Sequence, residues 1–178
     1  TGPNLCKSGS TISRLNEPFR LFVPVGMLFG IIGVALWPLF FAGALSYYPS
    51  IVHPRLMIDG FAGFFIFGFM MTAGPRLLGA PAFAPKCVLF VFGLACLSCI
   101  ATTFNQVVIG DALFGLTTAA MLFKASQAYR ARTDMPPPGF PLAGLGLLCA
   151  CIGSFLLALA PAIWANATAY ALGKILLF

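Results

Sequence analysis

His53 is the only histidine in the chain, and it stands just ahead of a long apolar run. A neutral imidazole is a frequent axial ligand of haem iron and a good ligand for copper. One histidine cannot build a bis-histidine haem within the chain. An axial role therefore calls for a methionine partner, an open sixth position or a ligand from outside. Met57 follows four residues later, close to one helix face with His53 if the helix begins early enough, and its thioether is a soft donor suited to Cu(I) or low-spin haem iron. Met70 and Met71 lie roughly three to four turns further on, too far to share a metal with His53. Plain alternatives stand beside these readings: a hydrated histidine at an interface, and methionines that pack.

Three further charged residues sit within or at the edge of apolar runs, where ionisable groups usually face the bundle interior and pair. Asp59 has Arg55 four residues before it, the spacing of an intrahelical ion pair. The sharper alternative is that Asp59 orients His53 or shares a polar pocket with it. Asp111 opens another apolar run, where a carboxylate complements the helix dipole. Lys174 falls in the last apolar run, near the midplane of a span starting at Trp164. A buried ammonium there needs a partner, either Asp111 or a negative cofactor group such as a haem propionate, unless it snorkels to an interface. Cys96-Leu97-Ser98-Cys99 has CxxC spacing, but Ile100 follows it, so the haem-attachment signature CxxCH is absent. Cys149 and Cys151 point to different helix faces. There is no glycine-rich phosphate loop, HExxH or nucleophile elbow, and no catalytic residue set is assigned.

The elements that must position these residues are membrane helices. The 178 residues are 60% hydrophobic and 8% charged, against roughly 25% charged in soluble domains. That excludes a water-soluble globule, and the lack of polar sequence excludes disorder. The formal charge of +6 would raise nucleic acid as a partner in a soluble chain. Here the basic residues sit between apolar runs, and membrane topology accounts for them. The expected fold is an all-α, polytopic transmembrane bundle with five complete spans and a sixth cut short at Phe178. Residues 1–18 are expected to form a cytoplasmic tail and residues 19–178 the transmembrane domain.

The spans are read at Phe19 to Leu45, at Leu56 to Gly74 ended by Pro75, as two crossings between Cys87 and Phe123 with a tight hairpin at Thr103 to Gln106, at Gly139 to Ala160, and from about Trp164. Lys7, Arg14, Arg20, Arg76, Lys86, Lys124, Arg130 and Arg132 then all fall on one side, and the opposite loops hold only Arg55. By the positive-inside rule the N-terminus is cytoplasmic and His53 lies at the outer face of a plasma membrane. Gly26 and Gly30 make a small-xxx-small face for close helix approach, within the chain or in a homo-oligomer.

Several stretches resemble the NnrS family of polytopic bacterial inner-membrane proteins. They are Glu17-Pro18-Phe19-Arg20-Leu21-Phe22 leading into a helix with Trp37, His53 ahead of Met57 and Gly60-Phe61-Ala62-Gly63, Gly68-Phe69-Met70-Met71-Thr72-Ala73-Gly74-Pro75, Pro136-Pro137-Pro138-Gly139-Phe140, and the closing Leu172-Gly173-Lys174-Ile175-Leu176-Leu177-Phe178. The resemblance implies a haem- and copper-binding protein linked to the nitric oxide response, about twice this length, of which this chain looks like an N-terminal half. Where the family often has His-x-His-Glu-Met, this chain reads His53-Pro54-Arg55-Leu56-Met57. His53 and Met57 carry over, and Arg55 and Leu56 stand in place of the second histidine and the glutamate. The expected cofactor is haem, with copper as a second candidate, held by His53 and Met57 with Asp59 and Lys174 assisting. From another class, the same residues allow a cofactor-free transporter or scaffold subunit in which Asp59, Asp111 and Lys174 line a polar path between glycine-rich helices. An oxidoreductase that turns over nitric oxide would need a redox centre and an electron donor that the chain does not display.

Overall fold

The computed structural model describes residues 17–159 and 167–177, so the first sixteen residues of the expected tail and Trp164 lie outside the described residues. Regular structure among the described residues is helical: α1 (Phe19–Phe41), α2 (Val52–Leu77), α3 (Pro85–Thr103), α4 (Val107–Arg130), α5 (Gly139–Leu159) and α6 (Ala167–Leu177). The first five are long and apolar enough to cross a bilayer. α6 is a shorter apolar helix that packs on α5.

Turn chemistry sets the helix ends. α1, α2 and α3 each close with a residue of positive φ just past the helix, namely Gly43, Gly79 and Asn105. The next amide reaches back into the last turn in each case: Ala44 to the Leu39 carbonyl, Ala80 to Pro75 and Gln106 to Ala101, all at 2.9 Å. This is the Schellman arrangement, and glycine or asparagine suits the left-handed residue it requires. It corrects two boundaries. α1 stops at Phe41 rather than at Leu45, and α2 runs past Pro75 to Leu77. The expected hairpin at Thr103 to Gln106 is present as the α3–α4 turn. Pro85 sits in the first turn of α3, where its missing N–H costs nothing.

The distribution of side chains is that of a bundle in lipid. Met27, Ile31, Val34, Phe90, Phe123 and Ile175 are exposed, whereas Ser98, Thr102, Thr117, Thr118 and Ser154 are buried between helices. Three of these hydroxyls are satisfied within their own helix, Thr117 by the Leu113 carbonyl, Thr118 by that of Phe114 and Ser154 by that of Ala150; Ser98 crosses to the Gly110 carbonyl and joins α3 to α4.

Hydrogen bonds between loops sort the two ends of the bundle. The Tyr47 hydroxyl donates to the Thr103 carbonyl, joining the α1–α2 loop to the α3–α4 turn; burial pushes the Tyr47 phenol above its ordinary range. At the other end the amides of Thr133 and Asp134 donate to the Leu78 carbonyl, joining the α4–α5 loop to the α2–α3 loop. His53, at the start of α2, is therefore at the end opposite Pro136, Pro137 and Pro138. Arg20, Arg76, Lys86, Arg130 and Arg132 gather at the proline end.

Candidate functional site

α2 begins at Val52, early enough that Pro54 falls in its first turn and breaks no helical hydrogen bond. His53 and Met57 consequently sit one turn apart on the helix. Both lean on Gly33 of α1. The His53 Nδ1 is 2.8 Å from the Gly33 carbonyl oxygen, and the Met57 sulfur is 3.3 Å from where a Cβ at residue 33 would lie. A side chain at 33 would press into both Leu56 and Met57, so glycine here lets α2 approach closely enough for the imidazole to reach a helix carbonyl. Trp37, one turn further along α1, places its ring edge-on to His53 at 5.9 Å between centroids.

This hydrogen bond assigns the histidine tautomer. A carbonyl oxygen only accepts, so Nδ1 carries the proton and, in the neutral ring, Nε2 bears the lone pair. Metal-binding histidines commonly have this arrangement, with one ring nitrogen donating to a fixed acceptor and the other ligating. Below Met57 an open apolar groove of about 480 Å³ runs along the α1–α2 seam, lined by Gly30, Ile31, Val34, Ala35, Met57 and Phe61 among others. It lies in the size range of small-molecule and cofactor clefts.

Asp59 does not reach this face. The segment Leu56–Ala62 winds as a π-helix, and one extra residue offsets the faces before and after it by roughly 100° relative to a continuous α-helix. Asp59 points into the bundle interior, 2% exposed, and neither carboxyl oxygen has a hydrogen-bond partner among the described residues. Arg55 does not satisfy it, although four residues separate them. The guanidinium makes a two-pronged bond to Asp111 of α4 instead, Nε to Oδ1 at 2.6 Å and Nη2 to Oδ2 at 2.8 Å, with Nη1 on the Ile51 carbonyl at 3.4 Å. Both partners are buried, at 5% and 1% exposure. Asp111 thus acts as an interhelical ion-pair partner, in the second turn of α4, rather than as a helix-end charge.

An orphaned buried carboxyl lowers stability by roughly 1–3 kcal/mol. Asp59→Ala is accordingly expected to raise the unfolding free energy of the bundle by about 1 kcal/mol, the removed penalty exceeding the small cavity left behind. Chemical unfolding in detergent, followed by circular dichroism, measures it; a loss of stability would show that the carboxyl is satisfied by something in the working protein.

The structure therefore joins His53 to Met57 and separates both from the other expected site residues. Asp59 belongs to an interior cluster with Arg55 and Asp111. Lys174 is exposed on α6, which packs on α5 through Gly153 and Gly173. Cys99 is buried beside Gly60, and the Cys151 thiol faces the Gly115 carbonyl. Gly33, Trp37 and the π turn are the site features that residue types alone do not reveal. The Arg55–Asp111 pair did leave a signal, since both residues begin spans at the same end of the bundle and share one depth.

Fold and site together define a multi-pass helical membrane protein with a histidine–methionine pair at one end of its second span. The family model described as NnrS protein matches residues 14–178, and the chain belongs to that family. A search of curated proteins finds no match, and neither does a search of solved structures.

Proposed function

We propose that this chain is a haem-binding protein of the bacterial inner membrane, with its N-terminus and basic end in the cytoplasm, serving the response to nitric oxide. His53 carries this reading, because the Gly33 carbonyl holds its Nδ1–H and so turns Nε2 into the ligand-bearing nitrogen. Haem fits the donors present. The macrocycle would supply most of the iron's donors itself, so the His53 imidazole would be enough to hold it, with the Met57 thioether as a second, weaker donor nearby. Copper is the second candidate metal, for which the soft Met57 sulfur is the matching donor. When bound, haem would supply an iron centre able to take up a diatomic ligand such as nitric oxide.

The residues of the chain do the rest. Gly33 fixes the ring tautomer, Trp37 restrains the ring from the side, and the apolar groove along α1 and α2 offers a water-poor wall to a planar group. Membership of the NnrS family supports the same reading.

Absorbance of the purified full chain supplied with haem tests it. A Soret band is expected, lost or strongly shifted in His53→Ala and shifted in Met57→Leu, with helicity unchanged in both. A preparation whose spectrum ignores added haem, or a His53→Ala protein with the parental spectrum, would refute the proposal.

A further inference from the structure

At the basic end of the bundle three neighbouring recesses share lining residues. The first is polar, about 360 Å³, and lined by Arg130, Arg132, Thr133, Asp134 and Met135. Arg130 is also the rim of a second, apolar recess of about 270 Å³ between α4 and α5, walled by Leu122, Ala125, Phe140 and Gly144 with Met70 of α2 at its side. Met70 and Phe140 in turn line a third recess of about 560 Å³, apolar, that continues along Phe65, Phe69 and Leu77 of α2. Polar surface, a shared arginine and two apolar troughs with Phe140 in common follow in that order.

The charges fit the same pattern. Among the described residues neither Arg130 nor Arg132 forms a salt bridge, whereas Arg20 and Arg76 share Glu17. Arg132 is held in place, donating to the Tyr129 carbonyl at 2.8 Å and stacking on the Tyr129 ring at 4.0 Å. Asp134 offsets one of the two guanidinium charges and leaves the recess cationic. Arg130 ends α4, at the depth where a crossing helix meets the headgroup layer, and tyrosines are enriched there. Basic pockets between membrane helices on the cytoplasmic side are sites for anionic headgroups.

We propose that these adjoining recesses bind one anionic phospholipid from the leaflet at the basic end, its phosphate on Arg130 and Arg132 and its two acyl chains in the troughs on either side of Phe140. The site lies at the end opposite His53, so it stands or falls independently of haem binding.

Native mass spectrometry of the full chain in mild detergent tests it, titrating phosphatidylglycerol, phosphatidylcholine and free glycerol phosphate separately. One phosphatidylglycerol is expected to stay bound under conditions that strip phosphatidylcholine, and glycerol phosphate is expected not to bind. At about fivefold per surface arginine, Arg130→Gln with Arg132→Gln should weaken phosphatidylglycerol about twenty-fivefold. Both side chains are exposed, so the fold is not at stake. Gly144→Phe fills the apolar trough from a position whose Cβ meets nothing within 4 Å, and should weaken the same lipid while leaving both arginines in place. Equal retention of the two lipids, unchanged affinity in the double arginine variant, binding of glycerol phosphate alone, or a lipid-free dimer covering the recess would each overturn the proposal.

Discussion

Arg55→Ala is expected to destabilise the bundle by about 3–5 kcal/mol, the usual consequence of removing one member of a buried ion pair. The cause is less the lost attraction than what stays behind. Asp111 would remain buried at 1% exposure with its two-pronged partner gone, and the nearby Asp59 already lacks a hydrogen bond among the described residues. Two interior carboxyls would then remain within electrostatic reach of each other without that cation to offset them. Asp111→Ala should cost a similar amount by leaving the guanidinium behind. Arg55→Lys should rescue only part of the loss, since an ammonium cannot grip both carboxylate oxygens in one plane. Replacing the pair by two leucines should restore stability to near or above the parent, because it removes both desolvation penalties at once. Unfolding curves in detergent for the four variants decide it. An Arg55→Ala protein within about 1 kcal/mol of the parent would mean that water reaches the pair.

The second large effect concerns the seam between α1 and α2. A Cβ on Gly26 would lie 2.8 Å from the Phe64 Cβ, one on Gly60 2.9 Å from the Phe29 Cβ, and one on Gly68 2.9 Å from the Phe22 Cβ. Each neighbour is the root of a buried aromatic side chain, so no rotamer change relieves the clash and the helices must separate. Gly26→Ala and Gly60→Ala are each expected to cost about 1–3 kcal/mol. The double variant should cost less than the sum, because a seam already opened by one methyl accommodates the other. Gly144→Ala, with open space around its Cβ, should be neutral or stabilise by up to about 1 kcal/mol. Resistance to unfolding by a denaturing detergent separates these cases. Because His53 reaches the Gly33 carbonyl across this same seam, Gly26→Ala should also alter the Soret band of a haem-loaded protein, whereas Gly144→Ala should not.

The glycines singled out for close helix approach thus work within the chain. Gly26 and Gly30 receive Phe64 and Phe61 of α2. That use was half legible: small residues at four-residue spacing announce that some backbone comes close, but nothing in the spacing says which one. For the site, His53 and Met57 were legible as a pair because both lie on one local helix and their separation is a property of that helix alone. What holds them, Gly33 and Trp37, is some twenty residues away and belongs to another span.

The sequence by itself determined the solvent and the number of long crossings, because hydropathy sums over consecutive residues. The ends of the first two spans came from the structure, where Gly43 and Gly79 take the left-handed conformation that closes the last turn. Only the tertiary structure decided that Arg55 pairs with Asp111 across the bundle and that Asp59 turns inward at a π turn. It alone decided that His53 presents Nε2. Partner choice depends on how each helix is rotated about its axis and how near its neighbour lies, and those are set by packing between spans far apart in the chain.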